Sequence, residues 1–204
     1  MIDIKNTDVF GWEAAIRGMR NPLNSWAKSD STFTMYDKFI GENDLKLMKS
    51  LSKAGTDHSK FLRMINVTCD ITAPLYWWKE FDTYKIGSVA NSCSTMHTIH
   101  KKEFEMSDFS REHLLTGSMF MLHRVVDLLN EARDEYLKTK DKAYWWQMIQ
   151  LLPSSYNQKR TVQLNYQVLK NMYFARKAHK LDEWKNFTLW IESLPYAKEL
   201  ICIE

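Results

Sequence analysis

The run "NYQVLKNMYFARKAHK", Asn165 to Lys180, limits more than any other segment how this chain can fold. Its spacing reads as a helix. Tyr166, Val168, Leu169, Met172, Tyr173, Phe174 and Ala175 leave that helix apolar nearly all round. A helix of this kind is buried on several sides, in a thick core or between subunits. Its polar residues fall on two faces. Asn165 and Arg176 share one face with Leu169 and Met172, and Gln167 and Asn171 lie one turn apart on another. Buried polar groups need partners. These side chains therefore either satisfy nearby backbone groups or reach ligands on both sides of the helix.

Around this helix the chain alternates a few strand-like runs with many helical ones. "IDIKNT" reads as a short strand and "DVFGWEAAIRGM" as a helix. "ENDLKLMKSLSKAG" is a helix with an acidic first turn and a glycine stop at Gly55. "FLRMINVTCDIT" is β-branched and apolar, a strand, and "PLYWWKEFDTYK" is a helix with Pro74 in its first turn. The longest helical pattern runs from Ser110 to about Lys138, with Leu115, Met119, Leu122, Val126 and Leu129 at helical spacing. "KAYWWQMIQLL" is a shorter helix, "YNQKRTVQLN" a strand, and "LDEWKNFTLWIESL" a final helix. No Pro/Gly-rich linker divides the 204 residues, so a single domain over 1–204 of α+β class is expected.

Composition narrows the function. Only 6 glycines and 4 prolines accompany 8 tryptophans and 11 methionines, which favours helices and a packed core over disorder. A net charge of +3 is too weak for a nucleic-acid surface but suits a small anion held by a few convergent cations. Cys69, Cys93 and Cys202 form no CxxC pair and read as free thiols of a reducing cytoplasm. No apolar run is long enough to span a bilayer, and the first residues lack the pattern of a signal peptide. A cytoplasmic protein without membrane or nucleic-acid partners is expected.

Neither GxGxxG, a P-loop nor GxSxG occurs, and the six histidines show no metal-ligand spacing, so no metal is expected. Cys93 with His97 invites a thiolate-nucleophile reading, against the plainer one of a small packing residue. Both lie in "EFDTYKIGSVANSCSTMHT", Glu80 to Thr98, where small polar residues interrupt two aromatic-rich segments. That stretch is either a connector or a ligand loop.

Two segments together resemble the flavin-dependent thymidylate synthase (ThyX) family. Its motif RHRxxSxNxxSxRY follows a strand, an Ala-Pro step and a helix, the layout of "DITAPLYWWKEFDTYKIGSVANSCSTMH". Lys85 stands at the second arginine, Ile86 follows it, and Ser88 falls on the first serine. With one residue inserted, Asn91, Ser94 and His97 fall on the asparagine, the second serine and the tyrosine. In "LLPSSYNQKRTVQLNYQVLKNMYFARKAHKLDEW" the resemblance continues through Leu152-Pro153, Asn165, Leu169, Asn171, Arg176 and Trp184, and "GTDHSKF" places His58 in register. It covers roughly His58 to Trp184.

The resemblance implies a ThyX-like fold, with a mixed or antiparallel sheet, long helices and FAD bound between the subunits of a homotetramer. It implies reductive methylation of dUMP to dTMP with methylenetetrahydrofolate, the flavin being reduced by NADPH, and no enzyme cysteine attacking the pyrimidine. Tyr84, Lys85, Ile86, Asn91, Asn165, Gln167 and Asn171 would hold the flavin. Glu80 and Ser94 would contact the nucleotide, and Arg176 would hold or orient its ring as the catalytic residue. Tyr84 and Gln167 stand where the family has histidine and arginine, and Glu80 replaces a glutamine. The first and last motif arginines are Thr83 and Met96, neither of which can grip a phosphate bidentately. Lys79, Lys101, Lys102 and Arg160 are candidate substitutes. The departures leave two alternatives: a relative acting on another pyrimidine nucleotide, and a non-catalytic nucleotide- or flavin-binding protein.

Overall fold

In the computed structural model, which describes residues 1–34 and 38–203, β1 (Asp3–Phe10) continues through Asp8, Val9 and Phe10, where the sequence pattern suggests a helix. Gly11 ends it. Its φ is +91°, and a Cβ there would lie 2.1 Å from the Met64 carbonyl oxygen, so the turn into α1 (Trp12–Arg20) requires glycine. β2 (Thr32–Phe33) and β3 (Lys38–Phe39) pair antiparallel, Thr32 facing Phe39. α2 (Glu42–Lys53) has the expected acidic first turn, and Gly55 follows it at φ +95°.

Ser59–Arg63 is a 3₁₀ turn rather than the start of a strand. Phe61 and Leu62 are neighbours and both buried, a pairing that strand alternation forbids on a one-sided core. β4 (Asn66–Pro74) begins after it, with Val67, Cys69, Ile71 and Ala73 buried at alternate positions. α3 (Leu75–Phe81) starts directly after Pro74. β5 (Val89–Ser92) and α4 (Thr95–Thr98) lie within the small polar stretch.

α5 (Thr116–Thr139) starts later than Ser110. The Ser110 amide donates to the Ser155 carbonyl (2.8 Å), and Phe109 bridges Tyr156, which holds this entry out of the helix. α6 (Lys142–Leu151) is capped by Asp141, which accepts from the Ala143 amide (2.9 Å). β6 (Asn157–Asn165), α7 (Tyr166–Arg176), α8 (Asp182–Ser193) and α9 (Ala197–Leu200) complete the α+β chain. Four strands form a sheet of order β1-β4-β6-β5.

The chain divides into two compact units. One comprises Met1–Ile4, Asp70–Thr83 and Asn91–Thr161; the other comprises Lys5–Cys69, Tyr84–Ala90 and Val162–Glu204. The first unit is built on the pair α5 and α6, where Leu122, Val126, Leu129 and Met148 pack with Phe104 and Phe109. In the second, the 3₁₀ turn at Ser59–Arg63 packs against α1, α2 and α7. Tyr166, Trp184 and Phe187 are fully buried there, and the Tyr166 hydroxyl donates to the Pro195 carbonyl (2.6 Å).

A buried ion pair organises the entry to α2. Arg20, at the end of α1, donates through Nε to Asp44 Oδ1 (2.6 Å), with both side chains essentially inaccessible. Asp44 Oδ2 accepts from the Ser29 and Ser31 hydroxyls (2.6 Å each) and from the Asp30 and Ser31 amides. Asp30 in turn accepts from the Asn43 and Asp44 amides and so caps α2. Burial alone would raise the Asp44 pKa. The hydrogen bonds from Ser29, Ser31 and Arg20, with the guanidinium charge, hold it below the ordinary carboxylate value.

A group depressed in this way contributes stability above its unfolded pKa of about 3.9 and loses it as pH falls through the folded value. Asp44→Asn should destabilise the fold by about 3 kcal/mol at neutral pH, because it strands the buried Arg20 charge. In urea unfolding across pH, the deficit should shrink towards acid; a deficit independent of pH below about 4 would contradict this assignment.

Candidate functional site

The expected site residues divide between the two units. In the second unit, α7 supplies most of them. Asn165 is its N-cap, with Oδ1 accepting from the Val168 amide (3.0 Å). Its Nδ2 donates weakly to the Gly87 carbonyl (3.4 Å), which brings the segment Tyr84–Ala90 against the start of the helix. Gly87 has φ +76°, and a Cβ there would press on Asn165 Nδ2 at 2.9 Å and Val168 Cγ2 at 3.0 Å. A glycine is therefore needed for this approach. Lys85 and Ile86, just before it, project into solvent, Ile86 being 92% exposed.

At the other end of α7, Arg176 donates through Nε to the Tyr84 hydroxyl oxygen (2.9 Å). Its guanidinium carbon lies 4.7 Å from the centroid of the buried Trp184 ring and 5.6 Å from that of Tyr84. The planar cation is thus fixed in orientation between two aromatic faces. This is a positioned donor group, and Trp184, noted in the sequence only as a point of register, is the platform under it.

Gln167 and Asn171 do share a face. Gln167 Nε2 donates to Asn171 Oδ1 (3.2 Å), and Gln167 Oε1 accepts from the Ser59 hydroxyl (2.9 Å). Both line a cavity of about 490 Å³ with Ser52, Lys53, Ser59 and Lys170. Lys85 does not line it. Lys53, Ser59 and Lys170 were not singled out from the sequence, although Lys170 follows Gln167 at the helical spacing that shares a face. A larger cavity of about 1350 Å³ lies between α1 and α2 and reaches His58, but holds none of the expected flavin or nucleotide contacts.

The first unit holds Glu80, Asn91 and Ser94. Asn91 is exposed on β5. The Ser94 hydroxyl caps α4 by accepting from the His97 amide (3.1 Å). Ser94 lines a cavity of about 340 Å³ with Cys93, Lys101, Lys102, Tyr156 and Lys159. Among the described residues, no hydrogen bond or ion pair joins Cys93 to His97; the Cys93 backbone instead pairs with Lys159 and with the Gln158 side chain. Thr83, at the place of the first motif arginine, turns its hydroxyl back onto the Glu80 carbonyl (2.7 Å).

The candidate substitute cations differ in freedom. Arg160 stacks on Trp78 (4.2 Å) and donates to Asp82 (2.7 Å) and Gln158 (3.0 Å). Lys102 pairs with Asp108 (2.8 Å). Lys101 lines the cavity beside Ser94 with no carboxylate partner among the described residues. Among those residues no cluster of three or more His, Cys, Asp or Glu side chains could hold a metal, and no helix is long and apolar enough to cross a membrane.

Two crystal structures of ThyX from Helicobacter pylori, complexed with FAD and dUMP, superpose on the chain with TM-scores of 0.72 and 0.70. Each match covers 98% of this chain and 97% of that one at 17% identity. The chain has the ThyX fold. No protein-family model and no curated protein matches its sequence. The ThyX fold here thus carries its α7 cap, its Tyr84–Arg176–Trp184 cluster and its motif departures on a highly diverged sequence.

The cap gives a stability test separate from any ligand. Asn165→Ala should cost about 1 kcal/mol in chemical unfolding, and Asn165→Asp, which keeps the accepting oxygen, should retain most of it. Equal losses in both variants would show that the Gly87 contact, rather than the cap, carries the effect.

Proposed function

We propose that the chain is a flavin-dependent thymidylate synthase-like enzyme, methylating dUMP to dTMP with methylenetetrahydrofolate and FAD reduced by NADPH. The observation that carries the reading is Arg176, held on the Trp184 ring and by the Tyr84 hydroxyl at the end of an asparagine-capped helix. The match to ThyX structures over nearly the whole chain supports it, and the two units are read as parts of one ThyX-like domain.

The donor set suits a flavin. Gln167 and Asn171 present amides to one cavity, and Asn165, Tyr84, Lys85, Ile86 and Asn91 are the remaining cofactor contacts in this reading. The residues are assigned to a FAD site completed between subunits of a homotetramer in the cytoplasm. When bound, the flavin supplies the hydride. Arg176 orients the pyrimidine by donating to its carbonyl oxygens, and the aromatic faces beside it exclude water from that contact. Ser94 and Glu80 contact the nucleotide, and Lys101 supplies charge beside Ser94 where Met96 cannot.

A second reading, a relative acting on a different pyrimidine nucleotide, is favoured by Thr83. Its hydroxyl is committed to the Glu80 carbonyl, so that position offers no grip on the phosphate of dUMP. A non-catalytic binding protein is the reading left if no turnover is found.

Purified protein should be yellow or take up FAD, and should form dTMP from dUMP, methylenetetrahydrofolate and NADPH. Arg176→Ala should lower turnover at least 100-fold, by analogy with loss of a transition-state donor, while flavin absorbance persists. Loss of flavin from that variant would move Arg176 to the cofactor instead. Flavin binding without dTMP formation, together with turnover of another pyrimidine nucleotide, would favour the second reading.

A further inference from the structure

The cavity beside Gln167 has an unusual charge balance. Lys170 points into it from α7, and Lys53 from the last turn of α2. Ser52, Thr56, Ser59, Gln167 and Asn171 add neutral polar groups, and no Asp or Glu among the described residues lines it. Among the described residues neither lysine has a carboxylate partner. Burial, and then the Lys53 charge, push the Lys170 ammonium below its ordinary pKa. Two ammonium groups facing one concave space, with no acid between them among the described residues, repel each other until an anion enters.

The donor geometry agrees. Lys170 Nζ lies 2.9 Å from both the Ser52 carbonyl and the Ser52 hydroxyl oxygen, and the Ser52 hydroxyl donates to the Leu200 carbonyl (2.7 Å). These bonds fix the ammonium in place and use two of its three protons. The third remains for a ligand. Lys170 also follows Gln167 on the same face of α7, and Gln167 stands where the family resemblance places an arginine. The positive charge absent at position 167 is present one turn later.

We propose that Lys170, assisted by Lys53, binds a phosphoryl anion in this cavity; resting on the flavin reading above, that anion is the pyrophosphate of FAD. Lys170 acts as a point charge in place of a planar guanidinium, and Asn171, whose Oδ1 accepts from Gln167, donates through Nδ2 to the anion.

Calorimetric titration of the full chain with FAD, riboflavin and inorganic pyrophosphate tests this, because riboflavin keeps the ring system and lacks the charge. Lys170→Met should weaken FAD about tenfold or more and leave riboflavin within about twofold, the loss expected for one charged hydrogen bond. Lys170→Arg should hold FAD near the wild-type affinity. Lys53 is exposed, so Lys53→Met leaves the fold intact, and it should weaken FAD in the same direction. FAD bound equally by wild type and both methionine variants overturns the proposal while the flavin reading stands. Pyrophosphate bound through Lys170 without affinity for any flavin supports the anion pocket, and overturns its assignment to FAD along with the flavin reading.

Discussion

The carboxylate of Asp44 is the point on which the second unit turns. It is inaccessible to water and gathers a guanidinium, two hydroxyls and two backbone amides. A buried charge survives only when paired and hydrogen-bonded in this way. The consequence is positional. Arg20 fixes where α1 ends, Asp30 and Ser31 fix where α2 begins, and α2 then runs as one rigid element to Ser52 and Lys53. Ser52, which accepts from Lys170, and Lys53, which lines the same cavity, thus sit at the far end of a helix whose near end is locked by Asp44. A change at Asp44 is therefore expected to reach the cavity beside Gln167 through the helix, without touching it.

α7 is the second rigid element, and it works at both ends. Asn165 accepts from the Val168 amide in the helix's first turn, and the same side chain meets Gly87. At the other end Arg176 lies in the last turn, where a cation also interacts favourably with the helix dipole. Its guanidinium is then fixed by Tyr84 and Trp184. Tyr84 and Gly87 are close in sequence yet contact opposite ends of α7, so the short segment between them runs along the helix. This explains why the segment needs a glycine at position 87, while Lys85 and Ile86 between the two contacts face solvent.

Periodicity made most helices and the central strands legible, because their one-sided burial repeats along the chain. β6 into α7, α2 with its Gly55 stop, and α3 after Pro74 all stand close to where the pattern puts them. The errors arose where tertiary contacts decide. Asp8 to Phe10 carry a helical pattern but extend β1 up to a turn that only Gly11 can make. Phe61 and Leu62 read as strand and form a 3₁₀ turn, because that turn is packed on three helices. The polar faces of α7 were legible, including the face that Gln167 shares with Asn171; the hydrogen bond between the two was not. Lys170 was not, since a lysine on a helix is usually solvated, and only its bonds to Ser52 distinguish it.

The cations that remain available in this chain are mainly lysines. Thr83 and Met96 offer no charge, and Arg160 is held by Trp78, Asp82 and Gln158. Lys53, Lys101 and Lys170 each face a cavity and lack a carboxylate partner among the described residues. An ammonium attracts any phosphate and imposes little geometry, whereas a guanidinium fork selects for planar, bidentate acceptors. Phosphate recognition built from lysines therefore contributes affinity and salt dependence more than selectivity. Selectivity must then come from the ring side of the ligand. In the reading proposed above, that side is met by Arg176, whose guanidinium is fixed on Trp184 and Tyr84, and a choice among pyrimidines would be made at this cluster.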